Sequence, residues 1–511
     1  MGLTGKSVNM SYHSREIEIA GLSLGGTSPV RIQSMTNTDT NDVEASVEQC
    51  VTMIAAGAEL VRLTTQGSRE VQSLGLIRKA LHQKNYRIPL VADVHFRPSV
   101  ALEAARVADK IRINPGNYVR GASLSSLLPA LLETCLKHGT AIRIGVNHGS
   151  LSKDILEEFG DSPEGMVESA MQFLRICQDE DFHQVVVSMK SSHPKIMIQS
   201  VRLLAQRMQQ ENMDYPIHLG VTEAGDGLDG RIKSAAGMAP LLLEGLGDTI
   251  RVSLTEPPEH ELPVAKMITA LFPKPESVPK KEPLAWDPFS FRKRRKGRVV
   301  LPDYDEEGMD AFHEQEALVV EQEAGGIRDL KSRLNRFCLE NAHLPIIYQH
   351  RSGEKDPLRF ALQLAGELAY LLVDGILDGI RVENKHMKDD YIHDILLRIL
   401  QATGDRMSRT EYIACPSCGR THFDIERRLQ EIREATSHLK PIKIGVMGCI
   451  VNGPGEMADA EYGYVGVARG KVSLYRGKDL VQANIPENEA LQALIQLIKN
   501  EGDWQDPPAG T

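Results

Sequence analysis

The stretch KIRINPGN, residues 110–117, decides how the first half of this chain is read. Ile111 and Ile113 alternate with Arg112 and Asn114, the two-residue period of a β-strand, and Pro115–Gly116 stop it. One face of that strand is apolar; the other presents a guanidinium and an amide. Segments of the same kind lie at residues 29–35 (PVRIQSM), 60–65 (LVRLTT), 89–95 (PLVADVH), 141–147 (AIRIGVN), 184–190 (QVVVSMK), 216–222 (PIHLGVT) and 249–255 (TIRVSLT). Stretches of helical periodicity separate them, among them 42–56, 68–83, 123–137 and 193–211. Strand–helix alternation repeated eight times predicts a (β/α)8 TIM barrel in an α/β chain. A doubly wound open sheet is the rival, but no Gly-rich dinucleotide fingerprint follows the first strand.

In such a barrel the active site lies at the C-terminal ends of the strands. Those ends supply Arg62, Asp93, His95, Arg112, Asn114, Arg143, Asn147, Lys190, Glu223, Arg251 and Ser253. Any single arginine here can be a structural cation paired with a neighbouring carboxylate. Four arginines and a lysine converging on one mouth, with only Asp93 and Glu223 as acids, are harder to satisfy that way. A buried unpaired cation is costly, so an anion is expected to enter. Guanidinium forks match phosphate oxygens, which points to a small, multiply phosphorylated ligand, a diphosphate.

Bulk properties narrow the class. The 511 residues are 41% apolar and 25% charged, as in an ordinary globular protein of several domains. A net charge of −10 argues against a nucleic-acid binder. The basic run FRKRRKGR, 291–298, lies in a Pro-rich region and reads as a solvated linker. No apolar run is long enough to span a membrane, the first residues have no signal-peptide core, and Lys6 stands where a myristoylation site needs Ser or Thr. The expectation is a cytoplasmic protein, or an organellar one after removal of a targeting segment.

Of seven cysteines, Cys50, Cys135, Cys177 and Cys338 are scattered singly and read as small buried apolar residues. Cys415 and Cys418 form a C-x-x-C knuckle in YIACPSCGRTHFD, and Cys449 lies in the loop of IGVMGCIVNGPGE. In a cytosolic chain such spacing points to a metal. Zinc held by the three cysteines and His422 is one reading. An iron–sulfur cluster with three thiolates is the other, and Glu456 is then the nearest oxygen donor.

Together these residues resemble the (E)-4-hydroxy-3-methylbut-2-enyl diphosphate synthase family of the methylerythritol phosphate route to isoprenoids. The matching stretches are VADVHF, RINPGN, IRIGVN, HLGVTEAG, KSA, GDTIRVSL, CPSCGRTHFD and GCIVNGPGE, covering nearly all of 16–272 and 410–480. The resemblance implies a TIM barrel and a C-terminal α+β domain with a [4Fe–4S] cluster. It implies reductive ring opening of 2-C-methyl-D-erythritol 2,4-cyclodiphosphate, fed by reduced ferredoxin or flavodoxin. By motif, Cys415, Cys418 and Cys449 are implied as cluster thiolates and Glu456 as the displaceable fourth ligand. Arg62, Asp93, Arg112, Asn114, Arg143, Asn147, Lys190, Arg251 and Ser253 are implied as diphosphate and hydroxyl contacts. His95, Glu223 and Lys233 fall in matching motifs; Glu223 is a candidate proton donor or orienter.

The chain departs from the short form of the family by an insert. The expected division is a barrel at 1–273, a linker and α/β insert at 274–408, and a cluster domain at 409–511. GDGLDG and GDTIRVSLTEPP resemble the longer, three-domain form, here with a compact insert that reads as a partial or degenerate barrel. GIRVENK (379–385) echoes the barrel's arginine strands, but a spacer is the reading preferred for the insert. The cluster can then meet a barrel mouth across a homodimer or by folding back on its own barrel. Two rival functions stand beside the synthase: a phosphate-binding barrel transferase with a structural zinc domain, and a non-catalytic metal-binding scaffold.

Overall fold

The computed structural model describes residues 12–507, except 96, 119–123, 276–283, 291–292, 296, 306–316, 323–325, 440, 452 and 458. A hairpin of β1 (Ile17–Ile19) and β2 (Leu22–Leu24) leads into β3 (Arg31–Met35), β4 (Leu60–Thr65), β5 (Leu90–Val94), β6 (Lys110–Ile113), β7 (Ala141–Asn147), β8 (Val185–Lys190), β9 (His218–Leu219) and β10 (Thr249–Ile250). These eight pair in parallel in the order β8-β7-β6-β5-β4-β3-β10-β9. A parallel bridge between Val187 and Ile217 joins β8 to the entry of β9 and closes the expected barrel. Every residue of β4 to β8 is buried, because the barrel core covers one face and helices the other. Ile17, Ile19 and Leu24 of the hairpin pack on Leu60, Val91, Ala141 and Val186 near the strand starts, so that end of the barrel is plugged.

The seventh and eighth strands are shorter than their alternation suggests. Past Arg251, whose N still donates to the Leu219 carbonyl of β9, the backbone finds other partners: Leu254 N donates to Glu261 Oε1 at 3.1 Å and Thr255 N to the Gly225 carbonyl. Glu223 turns the other chain through φ 49°. The ladder is exchanged for loop hydrogen bonds where the mouth is built.

The insert folds as a three-stranded parallel sheet, β11 (Leu318–Glu321), β12 (Ile346–Ser352) and β13 (Gly379–Asn384), with helices Gly326–Glu340, Pro357–Leu372 and Asp389–Ala402. Helix Pro357–Leu372 lies against barrel helix Gly227–Leu243. Their approach depends on small residues; a Cβ on Gly366 would overlap the Phe272 ring and crowd Ala239. A buried ion cluster reinforces that seam. Arg202 pairs with Asp374 at 2.7 Å and Glu244 at 2.5 Å, and Lys331 with Asp374 at 2.5 Å. The basic run differs from its reading as a solvated linker where it is described: Arg294 is anchored to Asp378 at 2.7 Å and to the Ala342 carbonyl.

The C-terminal sheet runs β14 (Glu411–Ala414), β15 (Lys443–Met447), β16 (Tyr462–Ala468), β17 (Lys471–Arg476) and β18 (Asp479–Pro486), in that order. The first three pair in parallel and the rest antiparallel. Helices Ile425–Thr436 and Glu487–Asn500 supply Leu429, Ile432, Leu494 and Ile498 to its core. An isolated parallel bridge between Ala224 and Ala414 ties this sheet to the barrel. It sets Glu223 beside Cys415.

Candidate active site

Parallel register assembles the cationic mouth. Asp93 on β5 is level with Arg112 on β6, which is level with Arg143 on β7; one strand further, Asn147 is level with Lys190 on β8. These side chains line one cavity between the barrel mouth and the C-terminal sheet. Arg62, His95, Glu223, Arg251 and Ser253 line it too. Its roof comes from the C-terminal sheet. Cys415 follows β14 and Cys449 follows β15, so the loops after two adjacent parallel strands carry the thiols over the barrel. Cys418 and Glu456 complete that side.

The roof seats closely because two glycines meet. A Cβ on either Gly149 or Gly455 would overlap the other's carbonyl, and Gly149 has φ 80°. Across this contact Asn147 Nδ2 donates to Glu456 Oε1, and Ser192 Oγ reaches the Glu456 carbonyl at 3.5 Å. Gly448 N donates to Cys415 Sγ at 3.2 Å. The thiol loops and the barrel mouth meet within one chain.

Three of the mouth cations form no ion pair among the described residues: Arg62, Arg143 and Lys190. Arg62 Nε reaches only Met35 Sδ, at 3.0 Å, and Arg143 Nε and Nη1 are buried without a partner. Burial, then neighbouring cations, pushes Arg143 and Lys190 well below their usual ranges; burial brings Arg62 down to about 9. Orphaned buried donors pressed together in this way are what an anion would satisfy. Arg112 is partly engaged. It lies 3.4 Å from Asp93, donates to the Gly145 carbonyl at 3.1 Å, and approaches His95 Nε2 at 2.8 Å. Burial keeps His95 neutral, down to about 4. Burial opposes the charge on Asp93, yet Arg62, His95 and Arg112 hold its carboxyl well below the usual range.

Glu223 is the opposite case. Burial and the adjacent Glu456 carboxyl push it well above the carboxylate range, so it is a held acid. Among the thiols, burial and then Cys449 push Cys415 upward. The three thiols are half-buried and line one cavity, although among the described residues no three ligand side chains are already gathered around a single metal position.

Three expected residues stand differently. Arg251 lines the cavity and is also paired with buried Glu261 at 3.1 Å. Asn114 does not line the cavity; β6 ends at Ile113, and Asn114 caps the next turn, donating to Ser150 Oγ at 3.0 Å and accepting from Gly116 N. Lys233 lines a second cavity and pairs with Glu411 at 2.7 Å. His422 does not line the thiol cavity, whereas Glu456 does. The residue list drawn from sequence omitted Arg420, which projects into the mouth from the CPSCGR turn. A cation two residues past the second cysteine was the available signal.

Two family models match: the GcpE TIM-barrel domain over residues 14–266 and the GcpE protein C-terminal domain over 411–500. The chain belongs to the GcpE family. Relatives in this family named 4-hydroxy-3-methylbut-2-en-1-yl diphosphate synthase (flavodoxin) share its whole length. The one from Parabacteroides distasonis is 41% identical over 97% of this chain and 99% of its own. Those from Porphyromonas gingivalis and Leptospira interrogans are 41% and 36% identical, each over 97% of this chain and over 99% and 97% of their own. The first alignment runs over 605 residues against 511 here, so that relative carries segments this GcpE chain lacks. A solved dihydropteroate synthase from Xanthomonas albilineans matches over 51% of this chain and 99% of its own, at 15% identity and a TM-score of 0.34.

Proposed function

We propose that this GcpE-family protein catalyses the reductive ring opening and dehydration of 2-C-methyl-D-erythritol 2,4-cyclodiphosphate. The balance is one cyclodiphosphate, two electrons and two protons giving one (E)-4-hydroxy-3-methylbut-2-enyl diphosphate and one water. The observation that carries this reading is a single cavity with three unpaired cations on one wall and three thiols with a carboxylate on the other. The names of the full-length relatives agree with it.

The donor set fits an iron–sulfur cluster: three thiols and Glu456 line one cavity, and His422, which would complete a Cys3His zinc site, lies outside it. Cys415, Cys418, Cys449 and Glu456 would hold a [4Fe–4S] cluster, which supplies electrons one at a time. The remaining roles belong to the barrel. Arg62, Arg143 and Lys190 hold the diphosphate and stabilise the charge that develops on it when the tertiary C–O bond opens. Arg112, tied to Asp93 and His95, is the fourth cation within reach. Glu223 holds a proton on the thiol side of the cavity, placed for the departing hydroxyl. Asn147 orients Glu456 through its amide.

Reduced flavodoxin is the proposed donor, as in the relatives' names, with ferredoxin the alternative. The site is complete within one chain, so a homodimer is not needed to build it. The proposed division remains barrel 1–273, insert 274–408 and cluster domain 409–511, the insert acting as a spacer fixed to the barrel. No helix among the described residues is long and apolar enough to cross a membrane; a cytoplasmic location without nucleic-acid partners completes the reading. The test is anaerobic incubation of the chemically reduced holoprotein with the cyclodiphosphate, followed by phosphorus NMR. The linear diphosphate is expected. A colourless, zinc-bearing protein that leaves the substrate intact would favour the transferase reading.

A further inference from the structure

Arg420 sits two residues beyond Cys418, in the turn that carries two of the thiols. Its side chain, 11% exposed, crosses from that turn into the barrel mouth and donates to Asp93 Oδ2 at 3.2 Å. The turn can come this close because its Gly419 passes against the Thr38 carbonyl on the barrel rim, where a Cβ would lie within 2.9 Å. Arg420 Nε is buried without a partner. Asp93 is therefore shared. On the barrel side it faces Arg112 and His95, each at 3.4 Å; on the roof side it faces Arg420 at the shorter distance.

This sharing has a consequence for a ligand. The thiol loops stand over the mouth, so their position bears on how an anion is held there. With the roof lifted, Asp93 has only barrel cations to pair with, and it competes with the anion for Arg112. With the roof down, Arg420 takes part of the Asp93 charge and adds a positive charge of its own.

We propose that Arg420 is a positioning residue that couples roof closure to diphosphate binding: seated on Asp93, it releases Arg112 to the anion and supplies one more cation to the mouth. Anion affinity and closure are then one linked equilibrium. The proposal rests on the reading of the mouth as a diphosphate site.

The experiment titrates anaerobic holoprotein with inorganic pyrophosphate, using wild type, Arg420→Gln and Arg420→Lys, in the native and the Asp93→Asn backgrounds. A pair of fluorophores across the barrel rim and the C-terminal sheet reports closure in the same samples. Arg420→Gln is expected to weaken pyrophosphate about tenfold and to abolish the closure signal it induces, and Arg420→Lys to restore most of both. In the Asp93→Asn background, where Arg112 is already free, the Arg420→Gln loss should shrink to about threefold. If Arg420→Gln binds pyrophosphate as tightly as wild type, or loses the same factor in both backgrounds, the coupling does not exist. Should Arg420→Gln lose iron, the comparison moves to iron-free wild type and variant, since neither Asp93 nor the anion site requires the metal. Failure of the wild type itself to bind pyrophosphate would instead overturn the diphosphate reading.

Discussion

Replacing Arg143 by methionine should make the free protein more stable and its anion site weaker. The side chain is 1% exposed, Nε and Nη1 have no partner, and burial together with Arg62 and Arg112 opposes its charge. Exchanging a poorly satisfied buried ion for an apolar group of similar length is neutral to stabilising, by up to about 4 kcal/mol; with two orphaned donors removed, we expect about 2 kcal/mol. Binding moves the other way. Loss of one charge partner from a buried anion costs about 2–5 kcal/mol, so affinity for pyrophosphate should fall about 30-fold or more. Anaerobic urea denaturation with and without pyrophosphate reads both effects. At a pyrophosphate concentration about 100 times its dissociation constant, wild type should gain about 2.7 kcal/mol, while the variant gains less than about 1 kcal/mol. A variant that is less stable than wild type, and gains as much from pyrophosphate, would show that Arg143 is a satisfied structural cation and refute the reasoning.

Cys449→Ala should abolish both turnover and the visible absorption of the cluster, whereas Glu456→Gln should lower turnover and retain most of the iron, because three thiols remain; equal iron loss in the two contradicts the assigned ligand set. Binding of the cyclodiphosphate, whose phosphates have no proton that titrates in this range, should take up protons at about pH 8–9, since the anion raises groups that burial depresses, Arg62 from about 9 and Lys190 from well below its usual range. Calorimetry in buffers of different ionisation enthalpy checks this, and proton release would be the wrong sign. The Lys233–Glu411 pair joins barrel helix Gly227–Leu243 to β14, and despite burial Lys233 and Lys443 hold Glu411 down to about 2. A depressed carboxyl contributes stability in full above its unfolded value, about 4.5, and loses it as pH falls toward the folded one, here about 2–3 kcal/mol. Glu411→Gln should therefore flatten the fall in urea midpoint below about pH 4.5; parallel curves for wild type and variant would contradict the pairing.

Much of this fold could be read from alternation. The first six barrel strands lie where β-branched residues recur with period two, and helix Ser68–Gln83 has the expected limits. The last strand is shorter than its alternation suggests because Glu261, from the following helix, takes up Leu254 N and the Arg251 side chain. The same carboxylate pairs with Arg251 at the cavity wall. Period two places Asn114 beside Arg112, but it cannot show that the strand stops at Ile113 and that the amide turns to Ser150. Lys233 sits in a family-like motif, yet its partner Glu411 comes from another sheet, a contact no local pattern encodes. The thiol spacing was legible. That the thiols sit over the chain's own barrel was not, because it depends on the Gly149–Gly455 contact and the Ala224–Ala414 bridge.

The most direct test of the account is electron–nuclear double resonance on the one-electron-reduced holoprotein with the cyclodiphosphate bound. Three thiols facing three unpaired cations across one cavity predict a resolved coupling between the cluster spin and substrate phosphorus. A spectrum unchanged by saturating substrate, or a protein with zinc in place of iron, would contradict it.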